Sequence, residues 1–164
     1  MNWLPATYRY TLTRSWGGSS DIYDGQVCFI MANPSTADEW VDDPTIRRVV
    51  RFSEDHGYAS LIVVNLFAVR STDPKLLSHY EDPVGPENGM AIVNAMADSQ
   101  RVVASWGALN HPMVAERRQW VKWTAFELGH SLWCLGKTKA GHPRHPLYIP
   151  AAQRLELFDE ETFP

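Results

Sequence analysis

Four short apolar runs, each separated from the next by a helical pattern, decide the fold class of this chain. They are QVCFIM (26–31), SLIVVNLFAV (60–69), RVVASWG (101–107) and SLWCLG (131–136). Each is near-continuous rather than alternating, as expected of a strand buried on both faces. The segments between them read as helices. In DDPTIRRVVRFSEDHG, Asp43 can cap, Pro44 suits the first helical position, and Ile46, Val49, Val50 and Ser53 share one face. DPVGPENGMAIVNAMADS holds a second helix with Val93, Met96 and Ala97 inward, and HPMVAERRQWVKWTAFELG a third that Gly129 ends. Strands alternating with helices predict an α/β fold. The expectation is a three-layer α/β/α sandwich with a central four-stranded, mainly parallel sheet.

The stretch YRYTLTRSW (8–16) alternates apolar and polar residues and predicts an added N-terminal antiparallel strand. GGSS follows as a turn, and QVCFIM is free to pair back on that strand. The link RSTDPKLLSHYEDPV (70–84) is the longest irregular stretch, a surface loop or a short helix. A length of 164 residues suits one domain.

Charge narrows the partners. A net charge of −4 argues against bulk attraction to nucleic acid or a membrane surface. Yet residues 128 to 155 contain no Asp or Glu, while Lys137, Lys139, Arg144 and Arg154 lie there. Compensating acid follows at Glu156, Asp159, Glu160 and Glu161. Cys28 and Cys134 sit in apolar runs and form no C-x-x-C, so they read as buried, reduced thiols of a cytoplasmic protein. The first ten residues do not read as a signal peptide, and no run is long enough to span a bilayer. No membrane partner and no cofactor are expected.

Ligands of open parallel sheets bind beyond the carboxyl ends of the strands. The segments leaving the four strands there are Asn33-Pro34-Ser35-Thr36, Asn65 with Leu66 and Phe67, Trp106-Gly107-Ala108, and Lys137-Thr138-Lys139 with the loop behind them. Amides, hydroxyls, cations and histidines should therefore converge on one edge. Each piece also has a plainer reading. Asn33-Pro34 is a good turn dipeptide. A buried Asn65 either ties down a neighbouring loop or reads a ligand. Trp106 suits a core, and Arg47 and Arg48 suit a solvated helix face. His56, His79, His111 and His130 flank turns or helix ends and are assigned no role.

The loop KAGHPRHPLY (139–148) presents His142, Arg144 and His145, stiffened by Pro143 and Pro146. A zinc site needs a third ligand that the neighbourhood does not offer, so no metal is assigned. LGKT (135–138) lacks the glycine spacing of a phosphate loop. No G-x-G-x-x-G follows the first apolar run and no G-x-S-x-G is present, which sets aside a dinucleotide cofactor and a serine nucleophile.

The strings NPSTAD, DDPTIRR, VVNLFAVRSTDP, DPVGPEN, WGA and GHPRHPLY resemble an uncharacterised bacterial domain-of-unknown-function family over nearly the whole chain. More distantly, the order of motifs is similar to that of the uracil-DNA glycosylase superfamily. MANP (31–34) resembles its G-x-D/N-P motif, VVN ending at Asn65 its second-strand Asn, Trp106-Gly107 its WG, and HPRHP (142–146) its HPSP-type loop.

That resemblance implies a uracil-DNA-glycosylase-like sandwich and a nucleobase ligand, in DNA or in a nucleotide. It implies a catalytic pair: Asn33 to position water and His142 to donate to the departing base. Asn65 would read the base edge, with Pro34, Ser35 and Trp106 beside it, and Lys137, Lys139, Arg144 and His145 would contact phosphate. Leu147 falls near the wedge position, and Trp40 stands for a stacking aromatic. This chain departs from the pattern at Met31, where the family has Gly, at Ser35 and at Arg144, and Asn33 cannot act as a general base. Three functions remain open on the residues: an N-glycosidase, a non-catalytic nucleobase- or nucleotide-binding module, and another small-molecule or protein-interaction role on the same fold.

Overall fold

The computed structural model describes residues 2–16 and 24–158. The GGSS turn and the acids Asp159, Glu160 and Glu161 lie outside those residues. The strands are β1 (Leu12–Ser15), β2 (Gln26–Met31), β3 (Ser60–Asn65), β4 (Arg101–Ala104), β5 (Leu132–Cys134) and β6 (Glu156–Leu157), and the helices are α1 (Pro44–Asp55), α2 (Asn88–Ala97) and α3 (Val114–Glu127).

The chain is α/β, built on a six-stranded mixed sheet in the order β1-β3-β2-β4-β5-β6. β3, β2, β4 and β5 run parallel, while β1 on β3 and β6 on β5 are antiparallel. The expectation of four strands plus one is corrected at the far edge. β6 lies in RLELF, too short and too exposed to leave an apolar signature. β2 does not pair back on the N-terminal strand either. It is buried along nearly its whole length, so it takes the centre with β3 and β4 on its two sides.

Alternate side chains of the central strands feed two cores. Val27, Phe29, Leu61 and Val63 pack with Ile46, Val49 and Phe52 of α1. Cys28, Ile30, Val64 and Val102 pack with Ile92, Ala95 and Met96 of α2 and Val121 and Ala125 of α3. Helices therefore cover both faces. The inward face of α2 is Asn88, Ile92, Ala95 and Met96, while Ala97 is exposed. The expected Val93–Ala97 face is rotated because buried Asn88 fixes the helix, as described below.

Local signals act as read from the sequence at α1. The Asp43 carboxylate accepts from Ile46 N at 2.8 Å, and Pro44 opens the helix. The 70–84 link contains a short 3₁₀ helix, Pro74–His79, capped by Asp73 and anchored by buried Leu77. No helix among the described residues is long and apolar enough to cross a membrane.

The connections create a switch point. β2 leads through α1 to β3 on one side, and β4 leads through α3 to β5 on the other. The carboxyl ends of β2 and β4 are neighbours whose following chains diverge, which opens a crevice between them.

Candidate functional site

A cleft of about 660 Å³ occupies this switch point. The end of β2 supplies Asn33 and Ser35, β3 supplies Asn65, the turn after β4 supplies Trp106 and Gly107, and the far loop supplies His145 and Leu147.

Asn33 is oriented by two carbonyls. Its Nδ2 donates to Ser71 O at 2.8 Å and to Pro34 O at 3.0 Å. Two acceptors on one side identify that atom as nitrogen, which leaves Oδ1 without a partner among the described residues. Ser71 N donates to Pro34 O at 3.0 Å, so the loops after β2 and β3 are stitched together. Pro34 is buried in that stitch and does not line the cleft.

Asn65 ends β3 at 2% exposure, yet its side-chain amide makes no hydrogen bond among the described residues. Its main chain is fixed instead. Asn88, a fully buried residue of α2, donates through Nδ2 to Asn65 O at 2.9 Å and to Leu66 O at 3.3 Å, and Arg117 Nε of α3 also donates to Leu66 O at 2.9 Å. Both helices thus hold the carboxyl end of β3 while its amide faces the cleft.

The far loop doubles back. Lys137 bridges Pro143, Thr138 N donates to His142 O, and Arg144 N donates to Gly136 O. This fold-back keeps Lys137, Lys139, His142 and Arg144 out of the cleft lining, and only His145 and Leu147 of the loop reach it. His142 Nδ1 lies 3.4 Å from Arg118 Nη1, which can only donate. His145 Nδ1 accepts from Leu147 N at 3.2 Å, so the ring proton sits on Nε2. Burial lowers the His145 pKa below its ordinary 6.5, with Asp43 opposing that shift. His145 is therefore a neutral donor at pH 7. Gly107, at φ +68°, donates to Pro143 O at 2.9 Å; a Cβ there would be strained by the backbone and would make ordinary contact with His145 Cβ at 3.5 Å.

A family model for proteins of unknown function, DUF1643, matches residues 9–147. The chain belongs to this family. No curated protein and no solved structure matches it. The DUF1643 span opens at Arg9 and closes at Leu147, and every side chain lining the cleft falls inside it.

The DUF1643 cleft thus brings together Asn33, Ser35, Asn65, Trp106, His145 and Leu147. Trp106 is 2% exposed, packed edge-on against Phe158, and its Nε1 has no hydrogen-bond partner among the described residues. Trp40 is 88% exposed on the loop between Thr36 and Asp43 and is not part of the lining. Sequence reading missed Arg9, which reads only as the exposed face of an alternating strand, and Asn88, which reads only as a residue near a helix start. Arg9 Nη1 donates to Ala37 O, its Nε is buried with no hydrogen-bond partner among the described residues, and it lines the cleft. Burial, and next the charge of Arg70, bring its guanidinium down to about 10, still cationic at neutral pH. No group of three His, Cys, Asp or Glu side chains gathers among the described residues to hold a metal.

Proposed function

We propose that this cleft recognises a nucleobase, in DNA or in a nucleotide, and hydrolyses its N-glycosidic bond in the manner of a uracil-DNA glycosylase. The observation that carries the reading is the Asn65 amide. The residue is 2% exposed, its amide has no hydrogen-bond partner among the described residues, and it opens on the cleft, where a base edge offers the matching donor and acceptor. Helices on both faces of the sheet and a cleft at the switch point are consistent with that superfamily's architecture.

The roles follow from position. Asn65 reads the base edge. Asn33 Oδ1 accepts from a water and aims it at the sugar C1′. The water oxygen bonds to C1′, the C1′–N electron pair leaves with the base, and the water's proton goes to solvent. His145 Nε2–H stabilises the charge developing on a base oxygen. The donor role that motif order gives His142 passes to His145, because His145 lines the cleft.

A non-catalytic binding module is favoured by a different observation. The cleft's carboxylates, Asp43 and Asp73, both serve as caps, accepting from Ile46 N and Lys75 N. Neither is a free general base, so water is oriented but not deprotonated.

One experiment separates the two. Oligonucleotides bearing uracil, hypoxanthine or mismatched bases are incubated with the protein and treated with alkali. Strand scission lost in Asn33→Ala and His145→Ala supports hydrolysis. Binding without scission, lost in Asn65→Ala, supports the module. Nucleic-acid signals indifferent to all three substitutions overturn both.

A further inference from the structure

We infer that Met31 sets the specificity of the cleft: with Val63 and Ile46 it makes an apolar floor beside the Asn65 amide, fitted to a base that carries an alkyl group next to its hydrogen-bonding edge. The inference rests on the nucleobase reading, which it narrows to 5-alkylated pyrimidines over their unsubstituted counterparts.

Strand register brings the polar and apolar parts together. Met31 and Asn65 are direct partners across the parallel pair of β2 and β3. Their side chains therefore leave the sheet on one face, from strands about 5 Å apart. Alternation decides which face. Phe29 and Met31 of β2 pack toward α1, as do Leu61 and Val63 of β3, whereas Ile30 and Val64 pack toward α2 and α3. Asn65 follows Val63 on the α1 side. A flat ring entering there meets an amide on one strand and a thioether on the next.

Met31, Val63 and Ile46 are all buried, and all three line the cleft. Ile46 is held in the first turn of α1, where Asp43 accepts from its N–H, so the floor is fixed before a ligand arrives. On the far side of Met31, Ser105 N donates to Ile30 O, but Ser105 does not reach the lining. Its hydroxyl is therefore absent from this floor. The amide can pair with a polar base edge and offers little to an alkyl group. The thioether does the reverse, because methionine is unbranched and polarisable and settles on rings and methyl groups. In a pyrimidine, C5 adjoins the C4 end of the hydrogen-bonding edge, so a methyl on C5 lies beside the group that the amide reads. A purine N7 or a polar substituent placed there would lose water and gain no partner.

The test titrates the intact protein calorimetrically with deoxyuridine and with its 5-methyl, 5-ethyl and 5-hydroxymethyl derivatives. Wild type should bind the 5-methyl compound about fourfold more tightly than deoxyuridine, the gain expected from burying one methyl group. The 5-hydroxymethyl compound should lose that gain. This series needs no variant, so it decides the apolar floor even if a substitution fails to fold. Met31→Leu, apolar and of similar volume, should keep the preference, and Met31→Gln, which puts a polar end on the same unbranched stem, should abolish it. A cooperative thermal transition shows that each variant is folded. Equal affinities across the series in wild type overturn the floor and leave the base reading standing. A preference that persists in folded Met31→Gln, or is lost equally in Met31→Leu and Met31→Gln, shows that Met31 only packs and overturns its role. Binding of none of these nucleosides overturns the pyrimidine assignment, and the base reading falls with it if purine nucleosides also fail to bind.

Discussion

The side chain of Asn88 donates to the main-chain carbonyl of Asn65 at 2.9 Å, tying the first turn of α2 to the last residue of β3. The same nitrogen reaches Leu66 O. Asn88 is fully buried, so these bonds are shielded from water. Asn88→Ala removes both and should cost about 2 kcal/mol in urea unfolding. It should also loosen the strand end that carries the Asn65 amide. A loss below about 0.5 kcal/mol, inside the ordinary range for surface substitutions, would rule out this tie.

Asn65→Leu should be close to neutral in stability. The Asn65 amide has no protein partner among the described residues and opens on the cleft, so an apolar side chain of similar size gives up no protein hydrogen bond. The variant should stay within about 0.5 kcal/mol of wild type and should lose nucleobase binding. Destabilisation in the same urea assay would mean that the amide has a structural partner.

The acid side of the stability profile should report on His145. Its pKa is depressed by burial from the ordinary 6.5, so the unfolded chain takes up a proton before the folded one does. The stability contributed by the neutral ring is full above pH 6.5 and is lost as pH falls through the lower folded value. His111, also depressed by burial, adds to the same window. His145→Gln should flatten part of that acid-side loss in Tm measured between pH 7 and pH 5. An unchanged slope would remove His145 from the buried, neutral role.

Gly107→Ala probes the contact between the turn after β4 and the histidine loop. At φ +68° a Cβ is strained, and here it would sit 3.5 Å from His145 Cβ. The variant should lose about 1–2 kcal/mol of stability. Any glycosidic cleavage or base binding should fall with it, because the same turn holds Pro143 O through Gly107 N. Full retention of both would show that the turn does not position the loop.

Three His-Pro dipeptides show what a motif leaves undecided. His111 and His145 each accept from the backbone N–H two residues on, at Met113 and Leu147, while His142 instead meets Arg118. The dipeptide itself is the same in all three. Only the fold-back of residues 136–144 selects which histidine reaches the cleft.

What the sequence determined by itself was local. The apolar period placed β2 to β5 and the three helices, and Asp43-Pro44 and Gly129 set helix ends, because strand burial and capping depend on neighbours a few residues away. The convergence of Asn33, Asn65 and Trp106 was also legible, since parallel strands deliver their carboxyl ends to one edge. Tertiary structure decided the rest. The antiparallel edge at Glu156–Leu157 and the pairing of β1 with β3 join residues far apart in the chain. The Asn88–Asn65 tie spans 23 positions, and the bridge between Tyr8 and Val69 spans far more of the chain. No periodicity records such contacts, because they come from which surfaces meet when the two cores close on the sheet.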